Sequence, residues 1–167
     1  MSNVLQLVRS LEVRPSAAAR SDVTVRNFAG SADIRPWLEL RSKAFARQPV
    51  GVRAWDMADF AAEFMQKAWW NPDRMWIAEA AQPGTLLGLE FVGTVTCAMR
   101  GTGATARPAV HWLAVHPRWR KQGIGRMLLA TLETACWDAG HRTICLETHA
   151  DWAAAGRLYK TAGYVPA

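Results

Sequence analysis

Cysteine is scarce and badly spaced for a framework. Cys97, Cys136 and Cys145 are an odd number, and no Cys-x-x-Cys pair occurs. That argues against a disulfide scaffold or a zinc ribbon and makes buried thiols in a reducing, cytoplasmic setting the expectation. Apolar runs are short. None approaches the ~20 residues a membrane-spanning helix needs, and residues 1–22 lack the apolar centre of a signal peptide. Arg9, Arg14 and Arg20 give that segment a faint transit-peptide character, which Glu12 and Asp22 contradict. Charge of one sign is nowhere concentrated. The net charge of +6 favours an anionic partner, but no block of five like charges appears, which weighs against nucleic acid. His111 and His116 have no clustered carboxylates, so no metal is expected.

What is present is globular. Half of the 167 residues are hydrophobic and 20% are charged, which suits one domain with a core of its own. The nine tryptophans are expected chiefly as core and helix-packing residues, with an aromatic binding surface as the alternative. Residues 1–22 read as an N-terminal extension, in which Val4–Val13 is apolar enough to pair with something and Pro15–Arg20 is a linker. A single domain is expected over 23–167.

Val23–Phe28 alternates as a short strand. Ser31 or Asp33 can cap a helix to about Ala46, broken by Pro49–Gly51. A second helix is expected from about Ala54 to Trp70, with Met57, Phe60, Ala61, Phe64 and Ala68 on one stripe. Strands follow at Met75–Ala80, Leu86–Met99 and Ala109–Val115, with a Pro83-Gly84 turn after the first. A helix runs from Gly123 to Ala139, its inward stripe Met127, Leu128, Thr131, Leu132 and Ala135. Thr143–Thr148 is the next strand, and Asp151 can cap a last helix ending before Gly163. The order β, α, α, β, β, β, α, β, α predicts an α/β sandwich, a mixed central sheet flanked by helices.

The loop Arg120-Lys121-Gln122-Gly123-Ile124-Gly125 lies between a strand and a helix. Glycines there let backbone N–H groups converge on one point, and the helix adds the positive end of its dipole, together an anion cradle for a pyrophosphate. Arg118, Arg120, Lys121 and Arg126 suit a ligand with several phosphates. A lone Gly-x-Gly also serves as a simple tight turn. No Gly-Lys-Ser/Thr follows, and the third glycine of a dinucleotide fingerprint is missing.

The segment Val110–Leu129 resembles the central motif of the GCN5-related N-acetyltransferases, whose Arg/Gln-x-x-Gly-x-Gly/Ala corresponds here to Arg120, Gly123 and Gly125. Leu146–Tyr164 is similar to the family's second motif, with Leu158-Tyr159 and Gly163-Tyr164 in place. The resemblance covers roughly 108–164. It implies the acyl-CoA N-acyltransferase fold, with a V-shaped opening between the strands near 109–115 and 143–148. It implies acetyl-CoA as co-substrate, bound by Leu113, Val115, Arg120, Lys121, Gln122, Gly123, Ile124, Gly125 and Arg126, with the pantetheine arm paired to the first strand. It implies transfer of an acetyl group to an amine of a small molecule or a protein, by direct attack on the thioester.

Such a transfer needs a base for the acceptor ammonium and an acid for the departing thiolate. By resemblance Tyr159 is the acid. Two residues compete as base. Glu147 lies in a segment similar to that of the ribosomal-protein alanine N-acetyltransferases. His111 lies in a His-Trp-Leu-Ala-Val-His run similar to that of the serotonin N-acetyltransferases. Two departures stand out. Trp152 replaces the asparagine that usually opens the last helix, and the family's closing strands are expected after Tyr164, where this sequence ends at Ala167. Val4–Val13, from its own chain or from a partner in a homodimer, is the expected cover for the sheet edge so left. Arg41, Arg47, Arg53, Trp55 and Phe60 suggest an acceptor with an acidic or aromatic portion. The competing functions are a coenzyme A-binding sensor without turnover and a basic RNA-interacting module.

Overall fold

The computed structural model describes residues 3–48, 52–82, 84–86 and 88–167. The expected break at 49–51 lies outside them, as do residue 83 of the expected turn and residue 87. Among the described residues, seven strands form one mixed sheet in the order β2-β3-β4-β5-β6-β1-β7. They are β1 (Val4–Ser10), β2 (Val23–Asn27), β3 (Met75–Ala81), β4 (Leu89–Arg100), β5 (Arg107–Val115), β6 (Thr143–His149) and β7 (Val165–Pro166). Every pairing is antiparallel except β5 with β6. The helices are α1 (Ile34–Phe45), α2 (Met57–Phe60), α3 (Ile124–Asp138) and α4 (Ala153–Thr161). The mixed sheet flanked by helices is thus the architecture expected.

The sheet is buried on both faces, and the period of two along β3 sorts its side chains between them. Trp76, Ala78 and Ala80 join the core built on α3, with Leu128, Leu129 and Leu132. Met75 and Ile77 join a second, aromatic core with Trp37 of α1 and Phe60 and Phe64. Several tryptophans therefore do pack inside. Trp37 is 1% exposed, and its indole N–H donates to Thr94 on β4 at 3.1 Å.

The N-terminal segment is a strand inside the sheet. β1 pairs with β6 over its full length, from Val4↔His149 to Ser10↔Thr143, and β7 adds to its other side at Leu7 and Val8. The cover expected for the edge of β6 therefore comes from the same chain. Arg9 ties it down through an ion pair to Glu133 of α3 at 2.5 Å. That pair is why Glu133 is buried on α3, where the expected stripe had Thr131 instead. The Thr131 hydroxyl bonds back to the Met127 carbonyl.

Other local expectations need correction. Asp33 stands at the start of α1 but makes no side-chain cap, because its carboxylate is taken by Arg26 and by the Ala29 N–H. The second helix is shorter than 54–70. Asp56 and Asp59 form a capping box at its start, and after Phe60 the chain widens into a π turn over Ala61–Met65. Among the described residues no helix is long and apolar enough to cross a membrane.

Candidate active site

The site arises where two parallel strands stop pairing. β5 and β6 are in register only at Ala109↔Cys145 and Val110↔Leu146. Beyond that point β5 bulges. Thr94 of β4 faces Ala114 and Thr96 faces His111, so Trp112 and Leu113 stand opposite Val95 alone. Trp112 takes up the extra residue with φ +50°, a left-handed conformation rare for so large a side chain. The V-shaped gap holds a cavity of about 570 Å³, bounded by β5, the loop after it, β6, α4 and the end of α1.

At one end lies the glycine loop. Gly123 has φ +83° at the N-cap of α3, and Lys121 is also left-handed at +60°. The first helical bond runs from the Met127 N–H to the Gly123 carbonyl at 3.0 Å, so the N–H groups of Ile124, Gly125 and Arg126 have no acceptor within the helix. A Cβ on Gly125 would stand 3.1 Å from Leu158 of α4, so a bare backbone is what fits there. The loop is braced from outside. Arg120 donates to the Ala44 carbonyl at the end of α1 at 2.5 Å, Arg20 donates to the Gln122 carbonyl, and the Gln122 side chain donates to the Arg118 carbonyl. Gly93 of β4 lets α3 lie close to the sheet, since a Cβ there would come within 2.7 Å of Leu128.

Of the residues expected to bind the cofactor, Leu113, Val115, Arg120, Lys121, Gly123, Ile124, Gly125 and Arg126 line the cavity, and Gln122 does not. Ile124 is only 1% exposed, so its side chain belongs to the core and its backbone is what the loop can offer to the cavity. The cations Arg120, Lys121, Arg126 and Arg157 gather at this end.

At the other end the two diverging strands each contribute a candidate base. Glu147 of β6 is bound by Arg100 at 2.9 Å and by the Gln6 amide at 2.6 Å. His111 of β5 has its Nε2 2.7 Å from Oε1 of Glu63, and the Trp112 indole N–H donates to that same oxygen at 3.1 Å. Glu63 sits in the π turn, and its carboxyl is held below the usual range chiefly by the His111 contact, with burial opposing and Trp112 assisting. Tyr159 of α4 lines the cavity at 6% exposure, and burial pushes its hydroxyl pKa upward.

Glu63 was not singled out from sequence. It precedes Phe64 at the border of an apolar stripe, where a glutamate ordinarily meets solvent, and only the widened turn aims it inward. The residues expected to shape the acceptor pocket need the opposite correction, because Arg41, Arg47, Arg53, Trp55 and Phe60 do not line the cavity. Arg41 is buried, its guanidinium 3.8 Å from the Trp55 ring and 4.8 Å from Trp112, and desolvation lowers its pKa to about 10. Arg53 pairs with Asp59, and Phe60 is wholly buried. Trp152 does line the cavity, as the N-cap of α4, with its ring 5.5 Å from Phe45 of α1. Asp151 does not cap that helix and lies instead 3.2 Å from His149.

Residues 35–164 match the acetyltransferase (GNAT) family. The chain is 29% identical to the mycothiol acetyltransferase of Acidothermus cellulolyticus, over 96% of its own length and 50% of the relative's. It is 31% identical to that of Nocardiopsis dassonvillei, over 92% and 45%. It therefore spans about half the length of these curated relatives. In fold it is similar to a GCN5-related N-acetyltransferase from Sphaerobacter thermophilus, with a TM-score of 0.72 at 22% identity over 98% of this chain and 48% of the other.

Proposed function

Because the chain belongs to the acetyltransferase (GNAT) family, we propose that it takes an acetyl group from acetyl-CoA and delivers it to a primary amine. The observation that carries this reading is the continuity of one cavity from an anion cradle at the start of α3 to the titratable groups on β5, β6 and α4. The residues fit the co-substrate. Left-handed Gly123, the helix N–H groups behind it and the flanking cations suit a pyrophosphate, and the gap beyond Val110 and Leu146 leaves Leu113 and Val115 beside the cavity for the pantetheine arm. Acetyl-CoA supplies an activated thioester carbonyl.

The chain's own groups then move protons. A base takes one from the acceptor ammonium, leaving the nitrogen lone pair free to form the C–N bond as the C–S bond breaks. The electron pair leaves on sulfur, Tyr159 gives it a proton, and the second proton that the acylated nitrogen sheds as the amide forms restores the Tyr159 hydroxyl. Burial that raises the Tyr159 pKa keeps that proton in place until a thiolate needs it. The two candidate bases, His111 and Glu147, both line the cavity, as does Glu63.

The acceptor in this reading is a small amine. The curated relatives are mycothiol acetyltransferases, and the cavity is walled in part by Phe45, Trp112 and Trp152, whose rings meet at Phe45. The site residues fall within 23–167, and the extension supports them from behind β6 through Gln6. A cytoplasmic setting suits the three free thiols.

The test is calorimetric titration with acetyl-CoA and with CoA, followed by thiol release across a panel of small amines. The expected result is micromolar binding weakened in Gly123→Pro, and amine-dependent release that falls about 100-fold in Tyr159→Phe. Binding without release from any amine would instead favour the sensor. Absence of binding by the folded chain would remove the reading altogether.

A further inference from the structure

Two irregularities in the backbone converge on one carboxylate. Consecutive residues of a strand point to opposite faces of its sheet, yet His111 and Trp112 both reach Oε1 of Glu63. They can do so only because Trp112 is left-handed within the β5 bulge. Glu63 meets them only because α2 widens into a π turn at Ala61–Met65. Each distortion is unfavourable by itself, and such features gather where a side chain must be aimed. Behind the bulge, Arg41 lies against the rings of Trp55 and Trp112 and backs the indole that grips Glu63.

Resting on the acetyltransferase reading above, we propose that Glu63 is a positioning residue, holding His111 with Nε2–H bound to its carboxylate so that Nδ1 takes the proton from the acceptor ammonium. An ionised carboxylate can only accept hydrogen bonds, and Glu63 is held ionised at neutral pH. The ring nitrogen 2.7 Å from it must therefore carry the hydrogen, which leaves the lone pair of a neutral imidazole on Nδ1. In the proton step the ammonium N–H bond breaks, its electron pair stays on the amine nitrogen, and a new N–H bond forms at Nδ1. Glu147 is the poorer base. Arg100 and Gln6 both bind its Oε1, where the Arg100 charge stabilises the carboxylate, and its side chain is 44% exposed.

The experiment uses the full chain carrying 15N-labelled histidine, with the His111 signals assigned by their loss in His111→Gln. At about pH 8, above the usual imidazole range, the ring nitrogens report which one is protonated. Wild type should show Nε2 protonated and Nδ1 bare, and Glu63→Ala should show a mixture. In turnover, Glu63→Ala should lower kcat by about 10- to 100-fold while the KM for acetyl-CoA stays within about twofold. Glu63→Gln keeps the accepting oxygen but not the charge. It should preserve the tautomer with a smaller fall in kcat, and it serves if the alanine variant does not fold. A wild-type ring protonated on Nδ1, or Glu63 variants that keep kcat within twofold, would overturn the assignment. If wild type acetylates no amine, the function reading fails instead, and the tautomer signal still decides the role of Glu63.

Discussion

Gly93→Ala tests whether the close approach of α3 to β4 holds the cofactor loop in place. The added Cβ would stand 2.7 Å from Cδ1 of Leu128, 3.0 Å from Cγ2 of Ile124 and 3.3 Å from the Ala114 carbonyl oxygen. Leu128 and Ile124 are 0% and 1% exposed, so neither has open space to turn into. The helix must lift from the sheet, and overpacking of this kind costs about 1–3 kcal/mol. For a domain of this size that lowers Tm by roughly 2–4 °C per kcal/mol, or about 2–12 °C in all. The lift starts at Ile124, the first residue of α3, so it reaches the Gly123–Arg126 cradle and should weaken acetyl-CoA binding as well. Gly156→Ala is the internal control. It lies within α4 with nothing inside 4 Å of a new Cβ, and should stabilise by about 0.5–1 kcal/mol by stiffening a helix. Calorimetric unfolding and acetyl-CoA titration of both variants measure this. A Gly93→Ala protein that melts no lower than wild type and binds no weaker would refute the packing argument.

Three further outcomes follow from the same structure. Arg9→Met leaves Glu133 buried without its partner and should cost about 3 kcal/mol, most of it regained in the Arg9→Met/Glu133→Met double variant. Urea unfolding of the single and double variants checks this, and an additive double variant would show that the two side chains act independently. Asp33 is held below its ordinary value of 3.8 chiefly by Arg26, with burial opposing and the Ala29 N–H assisting. Its ionised form therefore adds stability that is fully present above that ordinary value and is lost as pH falls through the lower folded value. Acid unfolding should be less steep in Asp33→Asn, and an unchanged acid limb would count against the Arg26–Asp33 pair. Trp152→Asn removes the ring that meets Phe45 across the cavity. It should alter the KM for the amine acceptor by about tenfold or more while leaving Tm within about 2 °C, since Trp152 is only half-buried. Unchanged amine kinetics would take Trp152 out of the acceptor wall.

Local chemistry made part of this protein legible from its residues alone. The Gly123–Gly125 loop could be read because few residues tolerate a left-handed backbone and close approach to a helix start, and because cations cluster beside it. The helix before Gly140 and the strand at Thr143–Thr148 could be read because buried elements repeat with a fixed period. Tertiary structure decided the rest. Nothing in Val4–Ser10 says that its partner is Thr143–His149, well over a hundred residues away, because strand pairing is a contact between distant segments. Arg41 looked available to a ligand and is instead packed among indoles, since burial depends on what the fold places around a charge. Glu63, His111 and Trp112 meet only because a π turn and a β-bulge each shift a side chain by one position. Those shifts answer packing forces from the assembled sheet and helices, which no local stretch of sequence contains.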